Sequence, residues 1–572
     1  MQEVILRSLP AVAGRLRSSA RQRFVFFLLA TLANSFVIGY HAGTFDQIIH
    51  LPMLLAYAEP GAYAGDPIVT LRTQHFSFFW FAFVPALRLG LLEPAMLMVH
   101  LASIWATFAA TWELMLALFD DSVSALLAVC ALILPHFGFV GFPLIEFSLL
   151  NRTVALPLLL LAFALFFRGR TVAAFALLGA TYNIHLLSVN FAILMMGAAM
   201  IVDRQHTKPR TVALACVAFV VTALPVIAWK LSTDPQLDLS IRPDWLWVVG
   251  RGMFWHIWHP LDGPLTVMAL VIVGLSGLIL AALALRAVPS MRAKPLRAML
   301  IAGACVLVVQ ECVALVWPIT VLMQLQLSRV SSMMLFLTYL CAAQALATAL
   351  RSDPLTRGRW LLVALSLAVF PTPALALGAW LWFGFFEQAP RPALATVCLL
   401  MTLAASAMVL AVPGLWRPGF HPWGPDTGWE EAQRWARDHT AQDALFVTPP
   451  GHFPAYESGW RVYSRRRTLA TMTDLLELAL MPAAFDAWLP AFESVAPGAV
   501  SQFTSDYFAN LSLVRGAYAG LRERDFSEIA CRFGADYAVI EQPLRLDLPL
   551  MFENSDYLIY DLAVANTCAG SG

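Results

Sequence analysis

The chain has 572 residues, no net formal charge, 59% hydrophobic residues and only 13% charged ones, against roughly 25% charged in an ordinary soluble domain. That balance excludes water as the only solvent, and the lack of a long basic run excludes nucleic acid as a partner. Function is to be sought in or beside a lipid bilayer.

Taken in chain order, Arg7, Arg15, Arg17, Arg21 and Arg23 precede a charge-free run at 24–40. Basic residues favour the cytoplasmic side, so the first helix is predicted to run outward as an uncleaved anchor. Further charge-free runs at 211–229, 265–285 and 330–350 are long enough to cross a hydrocarbon core of about 30 Å, and about ten to twelve spans are expected in all. Residues 41–75 then form the first external loop. The stretch 76–92, interrupted by Pro85 and Arg88, is expected to lie as a re-entrant or interfacial piece, because irregular backbone survives at membrane depth only when covered by protein. The motif TYNIH at 181–185 is expected to split the apolar run 171–202 into two short helices. Basic loops at Arg168 and Arg170, at Arg204, Lys208 and Arg210, from Arg286 to Arg297, and from Arg351 to Arg359 complete the cytoplasmic side. The segment 360–386 carries Phe-Pro-Thr-Pro at 370–373; whether it crosses once or doubles back before 393–412 sets the side of everything that follows.

From residue 413 the charges return and the long apolar runs end, dividing the chain into a membrane domain, 1–412, and a soluble domain, 413–572. A helix is predicted over 426–440, with Glu430 and Glu431 in its first turn, and strands at 444–448, 537–540 and 557–560. The fold expected is therefore an all-α polytopic membrane domain followed by a small C-terminal α/β domain. Cys531 and Cys568 lie outside the apolar spans with no metal-ligand spacing, so a disulfide is expected if that domain meets an oxidising compartment.

Polar residues concentrate in the first external loop, HAGTFDQIIHLPMLLAYAEPGAYAGDPIV. Asp46 and His50 are four apart and share one face if this stretch is helical, with Ile49, Leu51, Leu54 and Leu55 as an apolar side suited to the membrane surface. An outward first helix, an Asp at the start of the first loop, a short interfacial helix, many spans and a C-terminal soluble domain together resemble the GT-C class of polytopic glycosyltransferases, which includes oligosaccharyltransferases, protein mannosyltransferases and aminoarabinose transferases. GWEEAQRWARDHTAQDALFVTPP, opening the soluble domain, is also similar to a pattern in bacterial members of that class.

The resemblance implies transfer of a sugar from a polyprenyl-phosphate-linked donor to an acceptor at the outer face of the cytoplasmic membrane, with the C-terminal domain periplasmic. It implies that Asp46 is the base or a ligand to a divalent metal, Mg or Mn, and that Asp66 is the second acid of the loop. The sequence departs from the class where Asp46 is followed by Gln47 and where the WWDYG signature is missing. A departing lipid phosphate needs cations, and Arg152 and Arg329 each open a charge-free span on the outer side, where a guanidinium can grip phosphate with two parallel bonds. His185, at the helix break, and His50 complete the expected substrate-binding set.

Two other functions compete. Glu311 in mid-span, beside Gln310, and the breaks at 181–185 and 370–373 suit a transporter or lipid flippase, whereas the missing second acid beside Asp46 suits a non-catalytic membrane scaffold. The cluster Arg465, Arg466, Arg467 is expected to be a solvated face.

Overall fold

A computed structural model of the chain describes residues 2–136, 143–203, 207–233, 238–253, 264–286, 288–351, 408, 416–453 and 456–562. The predicted breaks and spans at 370–373, 360–386 and, apart from residue 408, 393–412, and the domain boundary at 412/413, lie outside the described residues.

Among the described residues the N-terminal part is mainly helical. Helices α1 (Gln2–Ser18) and α2 (Ala20–Val37) meet at Ser19, whose side chain caps α2 by accepting from the Gln22 N–H. The segment expected to form the first external loop holds α3 (Gln47–Ala58) and a 3₁₀ turn at Val69–Gln74, and the stretch expected not to cross holds a second 3₁₀ turn at Trp80–Phe83 running into the short α4 (Val84–Arg88). Next come α5 (Leu92–Phe119), α6 (Ser122–Ala131), α7 (Asn151–Phe167), α8 (Thr171–Tyr182), α9 (Leu186–Val202), α10 (Pro209–Thr233), α11 (Pro243–Gly252), α12 (Pro264–Leu285), α13 (Ser290–Val316), α14 (Thr320–Gln324) and α15 (Val330–Ala349). Among the described residues four stretches are helical, long and apolar enough to cross a membrane: Leu92–Phe119, Pro209–Thr233, Arg292–Val316 and Thr320–Ala349. Val217, Val221, Ile301 and Val308 are each about 60% exposed on these helices. Soluble surfaces rarely expose contiguous apolar rows of this kind.

The break at 181–185 has a visible cause. Asn183 leaves the helix and bridges α10, donating to Thr222 O at 2.8 Å and accepting from the Val226 N–H at 3.1 Å, beside Pro225, which has no N–H to give. His185 then starts α9, its ring nitrogen accepting from the Ser188 N–H. Gly179 lets α8 and α10 meet, since a Cβ there would sit 2.1 Å from Thr222 Oγ1.

The C-terminal part is α/β. Strands β3 (Leu445–Val447), β4 (Arg467–Thr468), β5 (Tyr537–Glu541), β6 (Leu550–Glu553) and β7 (Tyr557–Asp561) form one sheet in the order β4-β3-β5-β7-β6, parallel across β4-β3-β5 and antiparallel beyond. The helix expected at 426–440 occupies Gly428–His439, capped by Thr427 with Glu430 and Glu431 in its first turn. The basic cluster is corrected in part: Arg465 is exposed as expected, but Arg466 is buried and donates to the Arg437 and Thr440 carbonyls, closing the end of that helix, while Arg467 donates to Asp443 O. Carbonyls at a helix C-terminus lack intrahelical donors, and cations there are favourable. Cys531 is disulfide-bonded; its expected partner, Cys568, lies outside the described residues.

The sheet domain docks on the first loop. A two-residue parallel ladder joins β1 (Tyr40–His41) to β2 (Phe420–His421). Arg461 joins the two parts from within, donating to Asp66 on the loop at 2.7 Å and to Asp474 in its own domain at 2.6 Å.

Candidate functional site

Asp46 stands at the N-terminus of α3 but makes no side-chain capping bond there. Its carboxylate instead accepts from Arg152 Nη1. Arg152 lies in the first turn of α7, and its Nε donates to a second acid, Glu146, on the irregular segment before that helix. The two carboxylates and the guanidinium form one cluster with side-chain exposures of 20% for Asp46, 14% for Arg152 and 5% for Glu146. Phe45 lies under the guanidinium, 5.4 Å from its carbon to the ring centroid.

Environment separates the two acids. Burial pushes the Asp46 carboxyl up, but the charge of Arg152, with that of His50 and the Arg152 hydrogen bond, outweighs it and holds the group down at about 2. For Glu146 burial wins over the same guanidinium, and its carboxyl lies above the ordinary value. A carboxylate with an adjacent cation and some water stays ionised, whereas one deprived of water takes a proton more readily.

Arg152 and Glu146 also line a cavity of about 100 Å³. Its lining includes the polar Glu146, Arg152, His185, Ser188 and Arg329 and the apolar Ile104, Leu156, Phe191, Met333 and Phe336. Arg329 is set there by the strap before α15. Gln326 takes a left-handed turn at φ 46°, and the Leu327 N–H donates to Gln310 Oε1 of α13 at 3.1 Å. Gln310 thus ties helix to strap, and Glu311 next to it is half-buried and outside the cavity walls. The His185 ring meets Ser188 Oγ at 2.8 Å.

The structure brings Asp46 to Arg152, and Arg152, Arg329 and His185 to one cavity. It does not bring Asp66 to Asp46. Asp66 is 1% exposed; one of its oxygens accepts from the Ile68 and Val69 N–H groups and the other from Arg461. The acid beside Asp46 is Glu146, which sequence reasoning missed. Its only signal is an acid six residues before Arg152 in an otherwise apolar stretch, IEFSLLNR. His50 is not in the cavity wall either: it is buried against Trp80, with ring centroids 5.2 Å apart.

The site does not fit the divalent metal expected at Asp46. Among the described residues no three His, Cys, Asp or Glu side chains gather as a metal would need. The guanidinium of Arg152 already occupies the place between the two carboxylates where an ion would bridge them.

Residues 427–479 match a family described as a domain of unknown function, DUF6798; that stretch carries Arg461 and Asp474. No curated protein matches the sequence. Among solved structures the chain is similar to the Archaeoglobus fulgidus oligosaccharyltransferase. A form tethered with an acceptor peptide aligns over 91% of this chain and 69% of that one, at TM-score 0.45 and 10% identity. The complex with Zn and sulfate aligns over 90% and 67%, at 0.40 and 12%, and the apo form over 91% and 69%, at 0.42 and 12%.

Proposed function

We propose that the chain transfers a sugar from a polyprenyl-phosphate-linked donor to an acceptor at the outer face of the cytoplasmic membrane. The observation that carries this reading is the cavity itself, lined by the guanidiniums of Arg152 and Arg329 together with apolar side chains, Arg152 being paired with the Asp46 carboxylate. A lipid phosphate has the same two-part chemistry, an anionic head on an apolar chain. Arg152 and Arg329 would grip the phosphate and stabilise the charge it gains on leaving. Asp46, half-buried and paired with Arg152, would take the acceptor's proton. A donor phosphate on Arg152 also shares the cation that holds Asp46 so acidic, so binding the donor makes the base stronger.

The docking of the sheet domain on residues 40–41 and 66 supports placing it on the periplasmic side with the first loop, the N-terminus then being cytoplasmic. The acceptor would enter between the loop and that domain. Membranes carrying the full chain, incubated with a radiolabelled polyprenyl-phosphate sugar, should yield a labelled acceptor. Movement of the labelled lipid between leaflets without transfer would instead make the protein a flippase, and neither event would leave the scaffold reading.

A further inference from the structure

The cluster of Asp46, Arg152 and Glu146 holds a charge balance that an arriving anion upsets. Asp46, before α3, and Glu146, on the segment before α7, share the guanidinium of Arg152. Glu146 is the more deeply buried acid, its side chain 5% exposed against 20% for Asp46. One of its oxygens, Oε1, accepts from Arg152 Nε; the other, Oε2, is buried with no hydrogen-bond partner among the described residues. The same side chain lines the cavity that Arg152 and Arg329 line. A buried carboxylate persists as an anion only while cations and donors compensate for the water it has lost.

The charged and titratable groups facing Glu146 are Arg152 from α7, Asp46 from the turn before α3, Arg329 from the strap before α15 and, along the cavity lining, His185 from the break before α9. Two carboxylates and two guanidiniums sum to zero. A phosphate anion held by the guanidiniums leaves one negative charge in excess, in a place from which water is largely excluded, where like charges repel strongly. One proton restores the balance, and of the two acids Glu146 is the one to take it. Asp46 keeps more water and is held at about 2, whereas burial already sets the Glu146 carboxyl above its ordinary value. The proton also gives the carboxyl an O–H, turning an acceptor without a donor into a donor for a phosphate oxygen.

We propose that an organic phosphate enters this cavity together with one proton, and that Glu146 is the residue that takes the proton up. The proposal rests on the reading of the cavity as the donor-phosphate site and deepens it, since Glu146 then sets the charge of that site. The proton comes from solvent on binding and returns to it on release; the O–H bond is the only bond made or broken. Phosphate raises the affinity of Glu146 for its proton, so by reciprocity the proton raises the affinity for phosphate. Kd is therefore smallest in acid and rises with pH, by up to about tenfold per unit, between the pKa of Glu146 in the empty site and its higher value in the filled one.

The test measures binding of farnesyl methyl phosphate, a diester already fully ionised throughout the range, to the full chain in detergent from about pH 5 to pH 9. For the unmodified protein Kd should rise by about tenfold per unit over part of that range, and the binding heat there should follow the ionisation heat of the buffer with a slope of about one proton taken up per phosphate bound. Glu146→Gln should bind with a Kd independent of pH, whereas His185→Gln, which removes the titratable ring at the cavity, should keep the rise. A flat Kd with a buffer-independent heat in the unmodified protein, or a rise that Glu146→Gln keeps, overturns the proton uptake and leaves the phosphate site standing. If Glu146→Gln does not fold, the other two proteins decide: a rise lost in His185→Gln gives the proton to that ring and overturns the proposal, and a rise kept there supports it. Absence of saturable binding, or binding that Arg329→Ala leaves unchanged, overturns the donor-phosphate reading and the proposal with it.

Discussion

Two clusters in this molecule have the same composition, one arginine between two carboxylates, and opposite character. In Asp66–Arg461–Asp474 every carboxylate has further work: Asp66 accepts two backbone N–H groups, Asp474 accepts from the Thr471 N–H at 2.8 Å, and Arg461 also reaches Thr468 O at 3.3 Å. In Asp46–Arg152–Glu146 the capping bond of Asp46 is not made, and Glu146 Oε2 is buried with no hydrogen-bond partner among the described residues. A saturated buried network fixes a structure, whereas an unsatisfied one is where a ligand gains most. The first cluster holds the C-terminal domain on the loop. The second has capacity to spare, and it faces a cavity.

The sharpest way to break the comparison is to neutralise one acid in each cluster. Asp46→Asn should lower transfer by about 10²-fold or more, the range for loss of a positioned acid or base, while thermal unfolding in detergent shifts little, since Asn still accepts from Arg152. Equal transfer by this variant would remove Asp46 from the chemistry. Asp66→Asn should do the reverse, costing about 3 kcal/mol of stability by leaving a buried guanidinium short of charge, seen as a lower Tm and faster proteolysis between the two parts. Its transfer rate per folded molecule should hold; a loss matching that of Asp46→Asn would show that both acids share the reaction.

Arg329→Lys keeps the charge and loses the two-point grip, so donor KM should rise by roughly tenfold, the value of one charge-assisted hydrogen bond. An unchanged KM would take Arg329 out of the phosphate site. The smallest effect belongs to chelation. Because Arg152 stands where a metal would bridge Asp46 and Glu146, excess EDTA should change the transfer rate by less than about twofold; a loss that added Mg or Mn restores would show that the ion displaces the guanidinium.

Local signals in the sequence determined what depends on neighbours in the chain. Charge-free runs marked the long helices, TYNIH marked the break that Asn183 and His185 make, and Thr427 with two glutamates marked the helix at Gly428–His439. Hydrophobic period and capping act within a few residues, so they are legible in order. Asp46, Arg152 and Arg329 could be singled out because an ionisable group at the end of an apolar span is costly to place there. Which of them meet is another matter. Asp46 is 106 residues from Arg152, Asp66 is 395 from Arg461, and Glu477 comes to His75 from another domain. Carboxylates twenty residues apart on one loop read alike. Only tertiary packing, which turns one toward a saturated ion cluster and the other toward a half-open one, decided that Asp66 holds the domains together and that Glu146 stands beside Asp46.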